Sequence, residues 1–450
     1  MTRKMKDSGV EWIGEIPEDW EVTKLKQLAS FHNGDRGKNY PSGNDLVDEG
    51  VYFLTSNNIH GYYLDIGKSI SKFITNERLN VLNGAKIQIN DIVFCLRGSV
   101  GNCSINKSLE KGTIASSLML IRPINIDADF LNYIMQSDIK VMEVLNLTTG
   151  SCAANLSAIN VSNFKILQPS LSEQMKISNY LNKKTERIED IKSTIVKQIQ
   201  TLENYKKSVI TEAVTKGLDK NVEMKDSGIE WIGEIPKHWE VKRLKQILSN
   251  DPDSLKVGPF GSALKSSDLV NNGKWVYNQR TVIDNNFSSN DTFIDDKKFA
   301  ELRGFKVQAG DILLTTRGTI GKIAIVPSVF YEGVIHPCII KFNLNKKIFE
   351  NELIRFIFNH TDLVLKQVEF LSNSTTIGVI YSYNLVNIYI PTPPIGEQSQ
   401  IIDYLDKKTK LIDDSIAIKQ KQLETLEEYK KSLIYEYVTG KKEVNDGEET

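Results

Sequence analysis

No stretch of this chain reaches the roughly eighteen consecutive apolar residues that a membrane-crossing helix requires, and the opening "MTRKMKDSG" lacks the apolar run of a signal peptide. The expectation is a cytoplasmic protein with no membrane contact. Cysteine is scarce: Cys95, Cys103, Cys152 and Cys338 make no CxxC pair and no Cys/His ligand spacing, which argues against a disulfide framework or a zinc site. They read as free thiols. His32, His60, His238, His336 and His360 are scattered without HxH or HxxxH spacing, so no metal is expected. An excess of one charge is missing too, since 56 basic and 57 acidic residues leave a net charge of -1. That excludes a uniformly basic nucleic-acid coat and leaves room for a local basic face.

Catalytic motifs are also wanting. An amino-methyltransferase needs an Asn/Asp-Pro-Pro-aromatic motif, and Pro393-Pro394 in "PTPPIGE" has neither the preceding polar residue nor the following ring. "GPFGSALKS" and "RGTIGKI" resemble phosphate loops only faintly, because Leu264 stands before Lys265 and Ile323 after Lys322. Asp295-Asp296 and Asp413-Asp414 read as surface acids. The isolated chain is not expected to be an enzyme.

What is present is a globular composition, 450 residues with 40% hydrophobic and 25% charged, enough for two to four domains. It is also present twice. "MKDSGVEWIGEIPEDWEVTKLKQ" (Met5 to Gln27) returns as "MKDSGIEWIGEIPKHWEVKRLKQ" (Met224 to Gln246), with 18 of 23 positions identical. The segment from Ser170 to Ile210 returns from Pro394 to Ile434, and Glu173, Gln174, Tyr180, Leu181, Lys183, Lys184, Thr185, Ile188, Leu202, Tyr205, Lys206 and Lys207 recur 224 positions later. Two copies thus share a beginning and an end.

Both end segments carry helical periodicity. Leu181, Ile188, Ile195, Leu202 and Val209 fall seven apart, and Leu405, Ile412, Leu423, Leu426 and Leu433 keep a three-and-four rhythm. Neither run is interrupted by Gly or Pro, and the single seam predicts that the helices pair with each other. The 28 residues from Leu181 to Val209 span about 42 Å at 1.5 Å per residue. Between the shared ends the copies diverge into short apolar runs broken by Gly, Asn, Asp and Ser, which read as strands and turns. "NDIVFCLRGSVGNCSI" and "GDILLTTRGTIGKIAI" still align, keeping Asp91/Asp311, Arg97/Arg317, Gly98/Gly318 and Gly101/Gly321.

The predicted fold class is α+β: two globular domains with mixed or antiparallel sheets, joined by two long helices that pair as an antiparallel coiled coil in a pseudo-two-fold repeat. The boundaries read as a first domain over 1–168, a helix over 169–217, a linker over 218–223, a second domain over 224–392, a helix over 393–440 and a disordered tail over 441–450.

This arrangement resembles the specificity subunit of type I restriction-modification systems over nearly the whole chain. The resemblance rests on "WIGEIPEDW" and "WIGEIPKHW", on "GDILLTTRGTIGK" and its partner, on "GPFGSALKSSD" and on the "EQ...YL.KKT" helices. It implies a non-catalytic reader with two target recognition domains, each taking one half of a bipartite, asymmetric site in double-stranded DNA, with the helices setting the gap. It also implies two methylation subunits, and restriction subunits for cleavage, around the reader. S-adenosylmethionine, ATP and Mg²⁺ would then belong to those partners, with no cofactor in this chain. The residues support the idea independently: a repeated frame with divergent middles can dock two copies of one partner while reading two different half-sites. A helix of about 42 Å is also comparable with one duplex turn of about 34–36 Å. A scaffold without sequence preference, or an enzyme in its own right, are the competing readings.

Specific readout needs Arg or Lys donors for guanine, Asn or Gln for adenine, and small hydroxyls for phosphate. The polar loop tips offer Arg36, Lys38, Thr55, Ser56, Asn57, Asn58, Arg97 and Ser99 in the first domain. The second offers Lys265, Ser266, Asn278, Gln279, Arg280, Arg317, Thr319 and Lys322. Asn57/Asn58 and Gln279/Arg280 are expected at matched places. Arg97 and Arg317 recur in both domains, and a contact shared by two readers suits positioning better than specificity. Trp12, Trp20, Trp231 and Trp239 read as core of the repeat rather than as a docking surface. The pairs Lys183/Lys184, Lys206/Lys207, Lys407/Lys408 and Lys430/Lys431 read as solvated helix faces.

Overall fold

The computed structural model describes residues 3–148, 155–372 and 378–444. Cys152 lies outside the described residues, as do 445–450 of the expected tail. The chain divides into two compact units, Met1–Ile195 with Gln420–Thr450, and Val196–Lys419. Both long helices form, Leu171–Lys216 and Ile395–Val438. Each unit therefore contains a stretch of both.

In the first unit the repeated peptide forms a hairpin, Met5–Asp7 against Glu15–Pro17, and then a strand, Glu21–Lys24, paired antiparallel with Lys165–Gln168. Two four-stranded sheets follow. One is antiparallel, in the order Ala29–Asn33, Leu118–Pro123, Ile92–Cys95, Cys103–Ile105. The other is mixed, in the order Gly112–Ile114, Val51–Leu54, Lys72–Ile74, Leu46–Val47, with a parallel pair at its 112–114 edge. The strand Ile92–Cys95 is buried along its whole length, which explains why its sequence does not alternate. Ile92 and Phe94 enter one apolar cluster, while Val93 and Cys95 enter another on the opposite face.

The second unit repeats this topology strand for strand. Its antiparallel sheet runs Leu255–Val257, Ile339–Phe342, Ile312–Thr315, Ile323–Ile325, and its mixed sheet runs Gly333–Ile335, Lys274–Tyr277, Phe293–Ile294, Leu269–Val270. Asp91 and Asp311, kept by the repeat, are both buried and braced, but differently. Arg122 grips Asp91 through Nε at 2.7 Å and Nη2 at 2.8 Å. Asp311 instead receives Lys341 Nζ at 3.3 Å and Asn343 Nδ2 at 2.8 Å.

The residues of the predicted seam are withdrawn from water in each unit. Leu181, Ile188, Ile195, Val209, Leu405, Ile412 and Leu433 are buried, and Leu202, Leu423 and Leu426 are half-buried. Its ends are more than helix pairing, because Leu181 and Leu405 also join the core clusters of the globular parts. The lysine pairs are not simply solvated: Lys430 pairs with Glu189 at 2.8 Å, and its repeat-mate Lys206 pairs with Asp413 at 2.7 Å. The described part of the tail is ordered, contrary to expectation, because Val444 is only 4% exposed and packs into the first unit's core.

The motif "EQ" at the start of each long helix fastens helix to head. Trp20 and Trp239 are fully buried, and their indole N–H groups donate to Glu173 and Glu397, each at 3.0 Å. The Gln174 amide donates to Pro169 O at 2.8 Å and accepts from the Asp127 N–H at 2.8 Å. Gln398 donates to Pro393 O and Ile348 O, both at 2.8 Å, and accepts from the Glu350 N–H at 2.9 Å. Trp20 and Trp239 are thus core, while Trp12 and Trp231 are half-buried beside Lys165 and Phe370.

Candidate nucleic-acid interface

Within the first unit, three of the predicted loops converge on one turn, Ala115–Leu118, which joins the parallel edge strand to the antiparallel sheet. Ala115 N–H donates to Leu54 O at 2.8 Å, tying the turn to the strand that leads into Thr55–Asn58. Leu96 N–H donates to Ser117 O at 2.9 Å, tying it to the Arg97–Gly101 turn. Gly34 packs so closely that a Cβ there would lie 2.2 Å from Ala115 O, and from this glycine the loop carrying Arg36 and Lys38 departs. Only glycine permits that approach. Arg36 reaches back, its Nη2 donating to Ser116 O at 3.2 Å.

The second unit builds the same hub from different residues. His336 N–H donates to Tyr277 O at 2.9 Å, Thr316 N–H donates to Cys338 O at 3.0 Å, and a Cβ on Gly258 would lie 2.2 Å from His336 O. Burial holds the His336 imidazole below its ordinary pKa, so the ring is neutral and its Nδ1 accepts the Cys338 N–H at 3.2 Å. The two loops that leave the glycines also end alike, in the short 3-10 turns Gly43–Asp45 and Ser266–Asp268. Asp45 accepts the Ser42 N–H and the Arg78 guanidinium, and Asp268 accepts the Lys265 N–H at 2.7 Å and sits 3.4 Å from Lys298. These bonds hold both carboxyls below the usual carboxylate range. The loops are therefore pinned at both ends.

Around the hubs, Arg36, Lys38, Asn57, Arg97 and Ser99 are exposed in the first unit, as are Lys265, Ser266, Arg280, Arg317 and Thr319 in the second. Thr55 and Ser56 are half-buried. Four candidates prove to be committed elsewhere. Asn58 is wholly buried: its Oδ1 accepts the Thr55 N–H at 2.9 Å and its Nδ2 donates to Asp65 O and Ser71 Oγ. No polar atom is left for a base. Asn278 caps the helix Gln279–Ile283 through the Arg280 and Thr281 N–H groups. Gln279 spends its amide on Arg317 O, which ties two loops together. Lys322 donates to Asn359 O at 2.9 Å, in a cleft it shares with Lys206, Lys207 and His360 and away from the loop tips.

The expected matching of Asn57/Asn58 with Gln279/Arg280 is off by one. The parallel pairings Leu54 to Ile114 and Tyr277 to Ile335 align Asn57 with Arg280, and Asn58 with Thr281, which is buried as well. Sequence reasoning also missed Ser116, Ser117, His336 and Cys338, whose signal was faint: a Gly and a short β-branched run before "ASSL" and "HPCI". Among the described residues no group of His, Cys, Asp or Glu could hold a metal ion, and no helix is long and apolar enough to cross a membrane.

Residues 17–201 and 236–428 both match the family model described as the type I restriction modification DNA specificity domain. The chain belongs to this family. Full-length relatives agree. The type I restriction enzyme MjaVIII specificity subunit of Methanocaldococcus jannaschii is 29% identical over 436 residues, covering 95% of this chain and 93% of that protein. The EcoDI specificity subunit of Escherichia coli is 22% identical over 431 residues, covering 90% and 86%. A chain from a structure of type I restriction-modification complex assembly has the same fold, with a TM-score of 0.69 at 15% identity over 94% of this chain and 98% of that one. Each half of the chain carries one matched region, and each hub described above lies within one.

Proposed function

We propose that this chain is the DNA-reading subunit of a type I restriction-modification complex, each unit reading one half of a bipartite site through the loops around its hub. The chain supplies recognition, and methylation and restriction subunits act with it on DNA. The observation that carries the reading is the contrast between frame and tip. The hairpin, the Trp–Glu bond and the Gln joint are the same in both units, whereas Arg36, Asn57 and Ser116 in one correspond to Phe260, Arg280 and Pro337 in the other. A frame kept constant has two copies of one partner to bind, so two methylation subunits per chain are proposed. The repeated exposure of Tyr205 and Tyr429, and of Leu171 and Ile395, supports that number. S-adenosylmethionine, ATP and Mg²⁺ are assigned to those partner subunits.

The test is sequencing of adenine methylation in DNA from cells that express this chain with its cognate methylation subunit, against cells lacking this chain alone. A split motif present only with the chain is the expected result, and exchanging residues 28–168 for another such domain changes one half-site only. Assembly of a complete complex that methylates no motif would overturn the reading in favour of a scaffold.

A further inference from the structure

The strand at the edge of a sheet turns half of its N–H and C=O groups outward, where they form a template for another strand. Cys103–Ile105 and Ile323–Ile325 stand at the corresponding edge of the antiparallel sheet in each unit. In the second unit the Thr315 N–H donates to Lys322 O and the Val326 N–H to Asp311 O, so by alternation Ile323 and Ile325 turn their backbone groups outward. Ile323 is satisfied by the Asn359 side chain, which accepts its N–H at 2.8 Å and donates to its C=O at 2.9 Å. Ile105 in the first unit is satisfied by its own chain: its N–H donates to Tyr62 O at 2.9 Å, and its C=O accepts the Leu64 N–H at 3.2 Å. Ile325, the counterpart of Ile105, has no partner for either outward group among the described residues.

The segment that covers Ile105 runs parallel to its strand, with Tyr63 opposite Ile105. Ser104 Oγ and Gln136 Nε2 hold its start, donating to Gly61 O at 2.8 and 3.0 Å. Ala324 and His360 stand in place of those donors in the second unit, and there the loop turns back on itself. Asn285 is left-handed, with φ of 47°, and the Asn286 N–H returns to Thr281 O at 3.0 Å. Beside Ile325 this leaves an open cleft of about 890 Å³, with an apolar wall of Phe287, Ile325, Pro327, Val329, Phe330 and Tyr331. Val329 is 86% exposed, whereas Leu109, equally far past the first unit's strand, is buried.

We propose that this cleft is a strand-docking site for an extended apolar segment of one methylation subunit, which pairs with Ile325 as Tyr62–Leu64 pairs with Ile105. The inference rests on the function proposed above. The first unit supplies the chemistry of the occupant. One residue accepts the Ile325 N–H, the residue two positions on donates to Ile325 O, and their side chains are aromatic or aliphatic. Two methylation subunits docked on a repeated frame bring the same segment to the same edge of each unit. In the first unit that edge is already taken, and in the second it is free. One subunit therefore gains a contact that its twin lacks, and the two bind unequally.

The experiment is peptide-resolved hydrogen exchange on the full chain without DNA, alone and assembled with its methylation subunits. In the free chain the Ile325 amide should exchange faster than the Ile105 amide, which is already bonded. Assembly should slow exchange in 323–331 and leave 103–111 unchanged. Titration of the chain with the methylation subunit should show two unequal sites. Val329→Lys, at an exposed position, and Ile325→Pro, which removes an outward N–H without touching the ladder, should each weaken the tighter site about tenfold and leave the methylation motif unaltered. If two methylation subunits bind while 323–331 exchanges as in the free chain, or if both variants keep the affinity or weaken both sites alike, the proposal is wrong and the DNA-reading function stands. Slow exchange at Ile325 in the free chain would mean that the loop over 284–290 covers the edge itself, and a changed motif would mean that DNA enters the cleft; either result overturns the docking site. A chain that binds no methylation subunit and yields no motif overturns the proposed function as well.

Discussion

Gln398 is the most exacting joint in the second unit, and truncating it is a quantitative test of the frame. Its side chain is fully buried and makes three hydrogen bonds, two donated to carbonyls and one accepted from a backbone N–H. Gln398→Ala strands Pro393 O without a donor, and an unsatisfied buried group costs about 1–3 kcal/mol. Ile348 and Glu350 are half-buried, so water can replace the glutamine at both and little is added there. The expected loss is about 1–3 kcal/mol, a substantial share of the ~5–15 kcal/mol that holds a domain folded. Urea unfolding gives the magnitude, and hydrogen-exchange mass spectrometry resolved by peptide gives the place. Faster exchange should appear in 345–400 and not in 1–170. A loss below about 1 kcal/mol, or one that appears in the first unit, would refute the argument that this glutamine joins head and helix.

Further outcomes follow from the same bonds. Arg122→Leu leaves Asp91 buried without its cation and should cost about 3 kcal/mol by urea unfolding, the lower end for a broken buried pair because Arg122 is partly exposed; adding Asp91→Asn should recover part of the loss. His360 is pushed down to about 4 by burial, with Lys206, Arg355 and Lys322 adding to the effect. The unfolded chain takes up that proton near pH 6.5 and the folded unit does not, so stability should be level above pH 7 and fall as the pH drops from 6.5 toward 4. His360→Gln should flatten that slope in unfolding curves collected across the range. Arg97→Ala and Arg317→Ala should each weaken binding to all duplexes alike and lower the salt dependence by about one counterion, leaving the methylation motif unchanged.

The helices and the duplicated frame were legible because their signals are local or repeated: a heptad stripe, and a peptide written twice. Strand texture was legible where Gly and Asn punctuate it, and the buried strands Ile92–Cys95 and Ile312–Thr315 lie in short apolar runs of that kind. The roles of individual polar residues were not. Asn58 and Asn57 are neighbours of the same type, and only the fold decides that one is enclosed by Thr55, Asp65 and Ser71 while the other faces solvent. Lys322 resembles a reading residue until Asn359, 37 positions away, claims its ammonium. Gln174 and Gln398 recur in plain sight, and Pro169 and Pro393 with them, but the other anchor of each joint, the Asp127 or Glu350 N–H, lies in a segment whose sequence does not recur. The hubs escaped notice because they are built from backbone groups, and backbone groups leave no letter in the sequence.

The helix-terminating glycines set a schedule for the making of this protein. Gly217 and Gly440 each end a long helix in the left-handed conformation, with φ of 74° and 70°, against the Trp–Pro corner of a repeat. For Gly217 that corner, Pro236 and Trp239, follows about twenty residues later. For Gly440 it is Pro17 and Trp20, made more than four hundred residues earlier. The unit over 196–419 is one uninterrupted stretch, so it can close as it leaves the ribosome. The unit that begins the chain must wait for 420–444, a pause of roughly 11–45 s at about 5–20 residues per second. A premature stop at codon 420 would therefore spare the half translated later and leave the half translated first unfinished.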